Sequence, residues 1–548
     1  MNTVNLPLPA EKLTYWLVQD GNRDVLFQPH EGKYLTYNWK QIDDEARRLT
    51  SFLQSKGLVP GDKVSILSKN TAHWLISDLA LMLGGFISVP IYPTANNETI
   101  KFVVEHSESK AIIVGKLDNW PGQAEGVPKD IISIAMPYPT MPTDYQWNDV
   151  IANNDPIEQV YAATPEELMT ILYTSGSTGN PKGAMHSFAS FVNAGKNVGE
   201  RLGATTNDRS LSYLPLSHCT ERAYVESVWL NYGTALYFVE SLETFADNMA
   251  YARPTVFGSV PRLWTQFQKK ILTAIPNKKL QTMLKIPILR GLVKKKIKKQ
   301  MGLDSAHLFL SGSAPLSEKV LEWYSKLDIN IAEGWGMTES FAVGSQIGPG
   351  MDVRFGTVSV PINGSDVVIA EDSEILIKTE SDMMGYYKDE EKTKETINED
   401  GYIMTGDLGE IKDGYLSIVG RKKDIFKTEK GKYVAPIPIE SDFGDNEYIE
   451  LMCLMGTHLV QPVLVVNLSP HAASIDKADL EQSLLETMST VNSKLEAHAK
   501  VGAIIVAQNE WTTDSGELTP TLKVKRHVVE KAFLEKAQSV KKGSVTWE

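Results

Sequence analysis

The chain has 548 residues, a formal net charge of −13 and two cysteines. Its 42% hydrophobic and 22% charged residues are typical of a soluble globular protein and exclude fibrous, collagen-like and disordered chains. The excess of acids argues against general nucleic-acid binding, which needs lysine and arginine at phosphates. Two cysteines are too few for a disulfide framework, which favours a reducing compartment.

The N-terminus carries no positive head followed by an apolar core, so we predict no signal peptide. The most apolar stretch, residues 74–92, contains Asp78, Gly84, Gly85 and Pro90. These residues favour an amphipathic helix that leads into a buried strand, and they argue against a membrane span. We therefore predict a cytoplasmic protein.

A short apolar run followed by a polar, glycine-containing loop and a helical stretch occurs three times, at residues 168–179, 307–317 and 329–340. Apolar runs that alternate with helices indicate buried strands of largely parallel sheets. Ligands of such sheets gather beyond the carboxyl ends of the strands. The three loops therefore predict one shared pocket.

A basic stretch between residues 269 and 299 contains no acid. The favoured interpretation is a solvated helical face, because basic helices are commonly just exposed. Peripheral attachment to an anionic membrane surface, at the inner face of the membrane, is the alternative. The cations that carry this interpretation are Lys278, Lys279, Lys285, Arg290, Lys294, Lys295, Lys296, Lys298 and Lys299.

From about residue 401, glycine, aspartate and lysine recur at short intervals and predict short hairpins. A smaller α+β stretch follows, with a strand at 463–468, a helix near 480–497, a strand at 503–507 and a terminal basic helix.

The fold class that these patterns predict is α/β. We expect a large, multi-layered α/β N-terminal domain at residues 1–422 and a small, mobile α+β C-terminal domain at residues 423–548. The active site should lie between the two domains, as ligand sites often do.

The strongest chemical signal is YTSGSTGNPKG at residues 173–183. Its glycines let the backbone fold around an anion, and its hydroxyls and lysine add donors and positive charge. It is not a Walker A loop, because Pro181 precedes the lysine and Gly183 follows it. The residues that we expect to hold phosphate are Thr174, Ser175, Gly176, Ser177, Thr178, Gly179 and Lys182.

This loop resembles the signature of the AMP-forming acyl-adenylate family, which includes acyl-CoA synthetases, firefly-type luciferases and peptide-synthetase adenylation domains. The other family elements follow in the expected order, and the ordered set is far more specific than any one motif. They are LPLSH (214–218), SGSAPLS (311–317), EGWGMTES (333–340), TGD (405–407), GRKKDIFK (420–427) and LTPTLKVKR (518–526).

The resemblance assigns roles on the nucleotide side of the site. It implies that Glu339 binds Mg²⁺, that Thr338 contacts the α-phosphate, that Asp407 binds the ribose and that Arg421 contacts the ribose or the phosphate. The residues that it implies around the adenine are Gly312, Ser313, Ala314, Glu333, Gly334, Trp335 and Gly336.

Three more residues take roles from the resemblance. Lys523 corresponds to the catalytic lysine of the C-terminal domain, although Leu522 stands where the family commonly has glycine and Lys525 is a second candidate. Lys423 corresponds to the hinge about which that domain rotates between half-reactions. His218 positions or gates the carboxylate, or is only a satisfied polar residue of its loop.

The activity implied is ATP- and Mg²⁺-dependent adenylation of a carboxylic acid, followed by transfer of the acyl group to coenzyme A. Residues 238–264 are similar to long-chain acyl-CoA synthetases, which implies a long-chain fatty acid. The alternatives are a ligase that loads a carrier-protein thiol, and a non-catalytic nucleotide-binding scaffold. No histidine–cysteine group has metal-ligand spacing, so we predict no zinc site.

Overall fold

The computed structural model describes residues 6–138, 141–174, 181–513, 515–519 and 522–548. Among them, no helix is both long and apolar enough to cross a membrane.

The largest sheet has eight strands. Its centre is parallel and buried, which explains why the central strands read as unbroken apolar runs. In spatial order the strands are Gly385–Tyr386, Lys182–Ser187, Leu168–Thr174, Ile87–Ile91, Lys63–Ser68, Ser109–Gly115, Ile132–Ala135 and Tyr145–Gln146.

The described residues before 422 also form three smaller sheets. One is mixed and consists of Arg209–Ser212, Ala235–Phe238, Asp24–His30 and Lys33–Asn38; one is parallel and consists of Val256–Ser259, Leu308–Ser311 and Ile331–Glu333; and one is antiparallel and consists of Ser365–Ile369, Glu374–Thr379, Ile403–Lys412 and Tyr415–Arg421.

Helices cover these sheets. They are Pro9–Asp20, Trp39–Ser55, Ala72–Gly84, Asn97–Ser107, Trp120–Ala124, Trp147–Asn153, Phe188–Leu202, Cys219–Glu221, Val228–Tyr232, Phe245–Ala252, Pro261–Ala274, Asn277–Lys285, Pro287–Gln300, Glu318–Ser325 and Glu390–Thr396, with a π-helical turn at Arg222–Ser227 and a 3₁₀ turn at Thr338–Ser340.

The helix Ala72–Gly84 differs from its prediction. Thr71 caps its first turn, Gly85 ends it with φ of 69°, and a strand then begins at Ile87 as expected. The expectation of an amphipathic helix is wrong, because all 13 residues of the helix are buried. It lies inside the first domain and has no solvated face.

The smaller C-terminal unit has a four-stranded sheet of Ile449–Met455, Val463–Leu468, Ala503–Val506 and Val545–Trp547. Its helices pack beside this sheet around their own apolar clusters. The remaining elements are the hairpin Phe426–Lys427 and Tyr433–Val434, the helices Pro436–Phe443, Lys477–Asn492 and Arg526–Ser539, and a 3₁₀ turn at Pro470–Ser474.

Polar contacts fix this unit against the rest of the chain. Asp445 accepts a hydrogen bond from Ser317 Oγ at 2.5 Å and pairs with Lys319 Nζ at 2.5 Å. Glu450 pairs with Arg262. These contacts hold the C-terminal unit beside the loop that follows the strand Leu308–Ser311.

Candidate active site

The predicted phosphate loop connects two antiparallel strands of the large sheet. The strand Leu168–Thr174 pairs with the strand Lys182–Ser187. A strand therefore follows this loop directly, and the expected helix begins only after that strand. Lys182 Nζ lies 5.7 Å from the centre of the Tyr386 ring. Burial, and then the charges of Lys392 and Lys423, lower the pKa of Lys182. Of the predicted phosphate ligands, Ser175, Gly176, Ser177, Thr178 and Gly179 lie outside the described residues.

Glu339 lies on the 3₁₀ turn Thr338–Ser340, close to Lys182. Its Oε1 accepts a hydrogen bond from Tyr386 Oη at 2.5 Å, and its carbonyl accepts one from Met383 N–H at 2.7 Å. Within the described part of the chain its Oε2 has no hydrogen bond. A carboxylate held at one oxygen in this way has the second oxygen available to a cation.

Two neighbouring parallel strands bring the predicted adenine residues together. Ser311 is in register with Glu333, and Gly334 N–H donates to Ser311 O at 2.8 Å. A Cβ on Gly334 would lie 2.3 Å from Gln346 Nε2, so this position cannot hold a larger residue without a shift. The loops that leave the two strands therefore face each other, and they contain Gly312, Ser313, Ala314, Trp335 and Gly336.

Glu333 supports this loop. Its Oε1 accepts a hydrogen bond from Leu316 N–H at 2.7 Å, and its carbonyl accepts one from Ser359 Oγ at 2.6 Å. Burial raises the pKa of Glu333 to about 7. Its carboxyl group therefore braces the turn between residues 312 and 316.

The predicted ribose ligand is fixed from both sides. Asp407 and Arg421 are directly opposite on antiparallel strands, and Arg421 Nε donates to Asp407 Oδ1 at 2.7 Å. Trp335 Nε1 donates to Asp407 Oδ2 at 2.8 Å. Each carboxylate oxygen keeps a further lone pair, so Asp407 can still accept from two vicinal hydroxyls.

Lys523 reaches the same cleft from the C-terminal unit. Desolvation by the surrounding protein, and then the positive charge of Arg421, lower the pKa of Lys523, while Cys219 and Asp407 oppose this shift. Lys525, the second candidate, instead precedes the helix Arg526–Ser539.

Leu522 has a backbone conformation that glycine adopts more readily than leucine. Its φ of 60° lies in the left-handed region, which costs a side-chain-bearing residue about 1–2 kcal/mol. Leu522 N–H donates to Thr519 O at 2.8 Å, and Thr519 N–H donates to Lys523 O at 2.8 Å. These two hydrogen bonds hold the leucine in this conformation.

His218 precedes the short helix Cys219–Glu221, and the charge of Lys523 acts on it. Its Nδ1 accepts a hydrogen bond from Thr220 N–H at 3.2 Å, which places the ring proton of the neutral imidazole on Nε2. Burial, and then the charge of Lys523, lower the pKa of His218 to about 4. The side chain is therefore a neutral Nε2–H donor at physiological pH.

Lys423 follows the strand that ends at Arg421. The next residues form a turn, in which Asp424 N–H and Ile425 N–H both donate to Arg421 O, at 3.0 and 3.1 Å. Lys423 is exposed, and its charge acts on Lys182. The predicted hinge residue thus stands between the last strand of the large unit and the C-terminal unit.

Family models match almost the whole chain. The AMP-binding enzyme model matches residues 14–387, and the AMP-binding enzyme C-terminal domain model matches residues 423–542. The chain belongs to the AMP-binding enzyme family. This AMP-binding enzyme is 30% identical to fatty acyl-CoA synthetase A of Dictyostelium discoideum, over 92% of the chain and 86% of that protein.

A second relative and a solved structure agree. Long chain acyl-CoA synthetase 6, peroxisomal, of Arabidopsis thaliana is 29% identical, over 92% of this chain and 81% of that protein. The adenylation domain of a carboxylic acid reductase from Segniliparus rugosus, solved with AMP and a co-purified carboxylic acid, has a TM-score of 0.80 at 21% identity, covering 97% and 94% of the two chains. These findings confirm the predicted fold class, the acyl-adenylate family and an AMP-forming acid–thiol ligase.

Two residues that the sequence did not predict hold the segment before His218 in this AMP-binding enzyme. Asn70, just after the strand Lys63–Ser68, donates through Nδ2 to Leu214 O at 2.6 Å and accepts from Leu216 N–H at 3.1 Å. Glu221 Oε1 accepts from Ser212 Oγ at 2.8 Å and from Asn70 Nδ2 at 3.3 Å. A polar residue at the carboxyl end of a buried strand was the available signal for Asn70.

Proposed function

We propose that this AMP-binding enzyme activates a long-chain fatty acid as an acyl-adenylate, releases pyrophosphate, and transfers the acyl group to coenzyme A. The single observation that carries the proposal is that functional residues from four separate parts of the chain approach one cleft. They are Lys182, Glu339, Asp407 with Arg421, and Lys523. The proposal that the fatty acid is a long-chain one rests on the names of the relatives, which are fatty acyl-CoA and long chain acyl-CoA synthetases.

In the first half-reaction a carboxylate oxygen of the acid bonds to the α-phosphorus of ATP, and the bond to the pyrophosphate oxygen breaks. Negative charge on the phosphoryl oxygens has to be stabilised as this happens. Lys182 and Lys523 supply positive charge, and Thr338 donates its hydroxyl to the α-phosphate. The loop residues Ser175, Gly176, Ser177, Thr178 and Gly179 would supply backbone and hydroxyl donors.

The nucleoside is held on the other side of the cleft. Asp407 accepts from the ribose hydroxyls, and Arg421 keeps this carboxylate oriented through its 2.7 Å hydrogen bond. The loops 312–314 and 333–336 enclose the adenine. Trp335 links the two subsites because its indole donates to Asp407.

The residues present fit a magnesium ion that arrives with the ATP phosphates. Mg²⁺ typically takes one or two carboxylates together with phosphates and water, and Glu339 has one oxygen without a partner among the described residues. The ion would neutralise charge on the triphosphate. Tyr386 keeps the Glu339 carboxylate turned toward Lys182.

The acyl carboxylate would meet His218. A neutral imidazole with its proton on Nε2 donates one hydrogen bond and adds no charge that would hold the carboxylate back from attack. Asn70 and Glu221 act as positioning residues, because they hold the backbone of residues 213–216 just before this histidine.

The second half-reaction joins the thiol sulfur of coenzyme A to the acyl carbon, releasing AMP and the thiol proton. The arrangement described here has Lys523 in the cleft, which suits adenylation. Rotation of residues 423–548 about Lys423 would withdraw Lys523 and admit the thiol. We propose residues 1–422 and 423–548 as the two bodies of this movement.

The test is pyrophosphate and AMP release from ATP and Mg²⁺ with acids from acetate to oleate, with and without coenzyme A. AMP and acyl-CoA formed with long chains is the expected result. Acyl-AMP that accumulates without thioester would keep adenylation and move the acceptor to a carrier-protein thiol. ADP release, or turnover that is independent of the acid, would contradict the proposal.

A further inference from the structure

The basic stretch folds as a hairpin of two helices that contact each other. Its helices are Asn277–Lys285 and Pro287–Gln300. Three apolar side chains attach the hairpin to the core beside the three-stranded parallel sheet. They are the buried residues Leu280, Val293 and Ile297. One face of each helix is therefore committed to the core, and the opposite face is turned outward.

The tip of this hairpin is apolar and exposed. Ile288 is 81% exposed, Leu292 is 64% exposed and Ile286 is 44% exposed. Ile288 and Leu292 are four residues apart on one helix and so lie on one face. Single exposed apolar residues are ordinary. Here Ile286 and Ile288 flank Pro287, and Leu292 lies one helical turn further on, so the three form an apolar patch that is more stable out of water.

Lys285 and Arg290 flank this tip, and the other cations lie further along the two helices. Lys294 and Lys298 are turned inward, because both donate to Asp328, at 2.7 Å each. The other cations are exposed, and no acid lies in the stretch 269–299. The exposed cations of the hairpin are Lys278, Lys279, Lys285, Arg290, Lys295, Lys296 and Lys299.

We propose that this hairpin docks the protein on an anionic phospholipid bilayer, with Ile286, Ile288 and Leu292 inserted between the headgroups. A solvated basic face accounts for the lysines but not for an isoleucine that is 81% exposed among them. Apolar side chains beside cations have the character of a surface that lies in the membrane interface. The whole chain has a net charge of −13, so an anionic bilayer attracts only this basic patch and repels the rest of the protein. The patch therefore determines which side of the protein faces the bilayer.

The test uses the full chain in co-sedimentation with vesicles of phosphatidylcholine alone and of phosphatidylcholine with phosphatidylglycerol. We expect binding to the anionic vesicles that falls as salt rises, because screening weakens charge attraction. Lys295→Gln/Lys296→Gln/Lys299→Gln should lower the partition coefficient about 100-fold. Ile288→Asp/Leu292→Asp should lower it at least about tenfold.

Matched variants elsewhere control for charge and for apolar exposure. Lys531→Gln/Lys541→Gln/Lys542→Gln removes three exposed lysines of the C-terminal unit, and Val18→Asp/Leu242→Asp changes two side chains that are 76% and 88% exposed. Both should bind anionic vesicles as the unchanged chain does.

Three results would overturn the proposal. They are no binding of the unchanged chain to anionic vesicles, equal losses in the control variants, and an apolar-tip variant that binds fully while the lysine variant does not. The last would identify a site for polyanions, such as an acidic protein. Docking is tested without catalysis, so it can fail or stand independently of the proposed reaction.

Discussion

At the scale of single residues, positive charge gathers where a triphosphate would carry its negative charge. Lys182 comes from a strand of the large sheet, Arg421 from the antiparallel sheet and Lys523 from the C-terminal unit. The lowered pKa values of Lys182 and Lys523 reflect desolvation by the surrounding protein first and neighbouring cations second. Binding of ATP would relieve the repulsion among these cations, so the cleft is suited to a polyanion.

Lys523→Ala tests the position of this charge. We expect pyrophosphate release to fall about 100-fold or more, in the range seen when one donor to a developing negative charge is removed. Transfer from supplied acyl-AMP to coenzyme A should stay close to that of the unchanged enzyme. Lys525→Ala is the matched control and should leave both half-reactions intact. Equal loss of both half-reactions in Lys523→Ala would contradict the assignment.

Glu221 predicts a pH dependence of stability. Burial raises its pKa from 4.5 to about 8, so the folded state favours the protonated carboxyl. Its contribution to stability is complete below pH 4.5 and is lost as pH rises through about 8. The melting temperature of the unchanged chain should fall as pH rises over this window, and it should fall less in Glu221→Gln. If the melting temperatures of the two proteins change with pH in the same way, another group is responsible.

At the scale of elements, the carboxyl ends of strands were the most informative part of the sequence. The ends of Leu308–Ser311 and Ile331–Glu333 do meet, as parallel pairing requires. The strand Lys182–Ser187 was missed because KGAMHS has no β-branched run. Glu221 was missed because its contact with Asn70 joins distant parts of the chain, and no local pattern reports such a pairing.

The backbone conformation of Leu522 gives a prediction about strain. Leu522 has φ of 60° and is 48% exposed, so its side chain adds little packing. Leu522→Gly should raise the free energy of unfolding by up to about 1 kcal/mol. Glycine removes the energetic penalty of the left-handed conformation, but it also increases the conformational entropy of the unfolded chain, which offsets part of the gain. Leu522→Val should destabilise, because β-branched residues fit this region poorly. A melting temperature for the valine variant equal to or above that of the glycine variant would refute the strain.

At the scale of the whole molecule, contacts between distant residues set how the C-terminal unit meets the rest of the chain. Asp445 and Glu450 hold the C-terminal unit beside residues 262–319 while Lys523 lies in the cleft. The family's C-terminal domain model begins at residue 423, just where the strand Tyr415–Arg421 has ended. The sequence indicated two bodies and a hinge, but which face of the smaller body meets the cleft depends on these ion pairs between distant residues.

Lys423→Pro tests the hinge. Proline fixes φ near −65° and so blocks the backbone change that rotation needs. We expect adenylation to continue and thioester formation to fall steeply, measured separately as pyrophosphate release and as consumption of supplied acyl-AMP. Lys423→Ala keeps the backbone free and should retain both. Normal thioester formation in the proline variant would place the hinge elsewhere.

The most direct test of the central claim follows oxygen from the acid. Oleate labelled with ¹⁸O in both carboxylate positions is incubated with ATP, Mg²⁺ and coenzyme A, and the nucleotide product is analysed by mass spectrometry. Attack of the carboxylate on the α-phosphorus predicts AMP that carries one ¹⁸O atom, together with unlabelled pyrophosphate. Label in inorganic phosphate with ADP as the nucleotide, or AMP without label, would contradict adenylation.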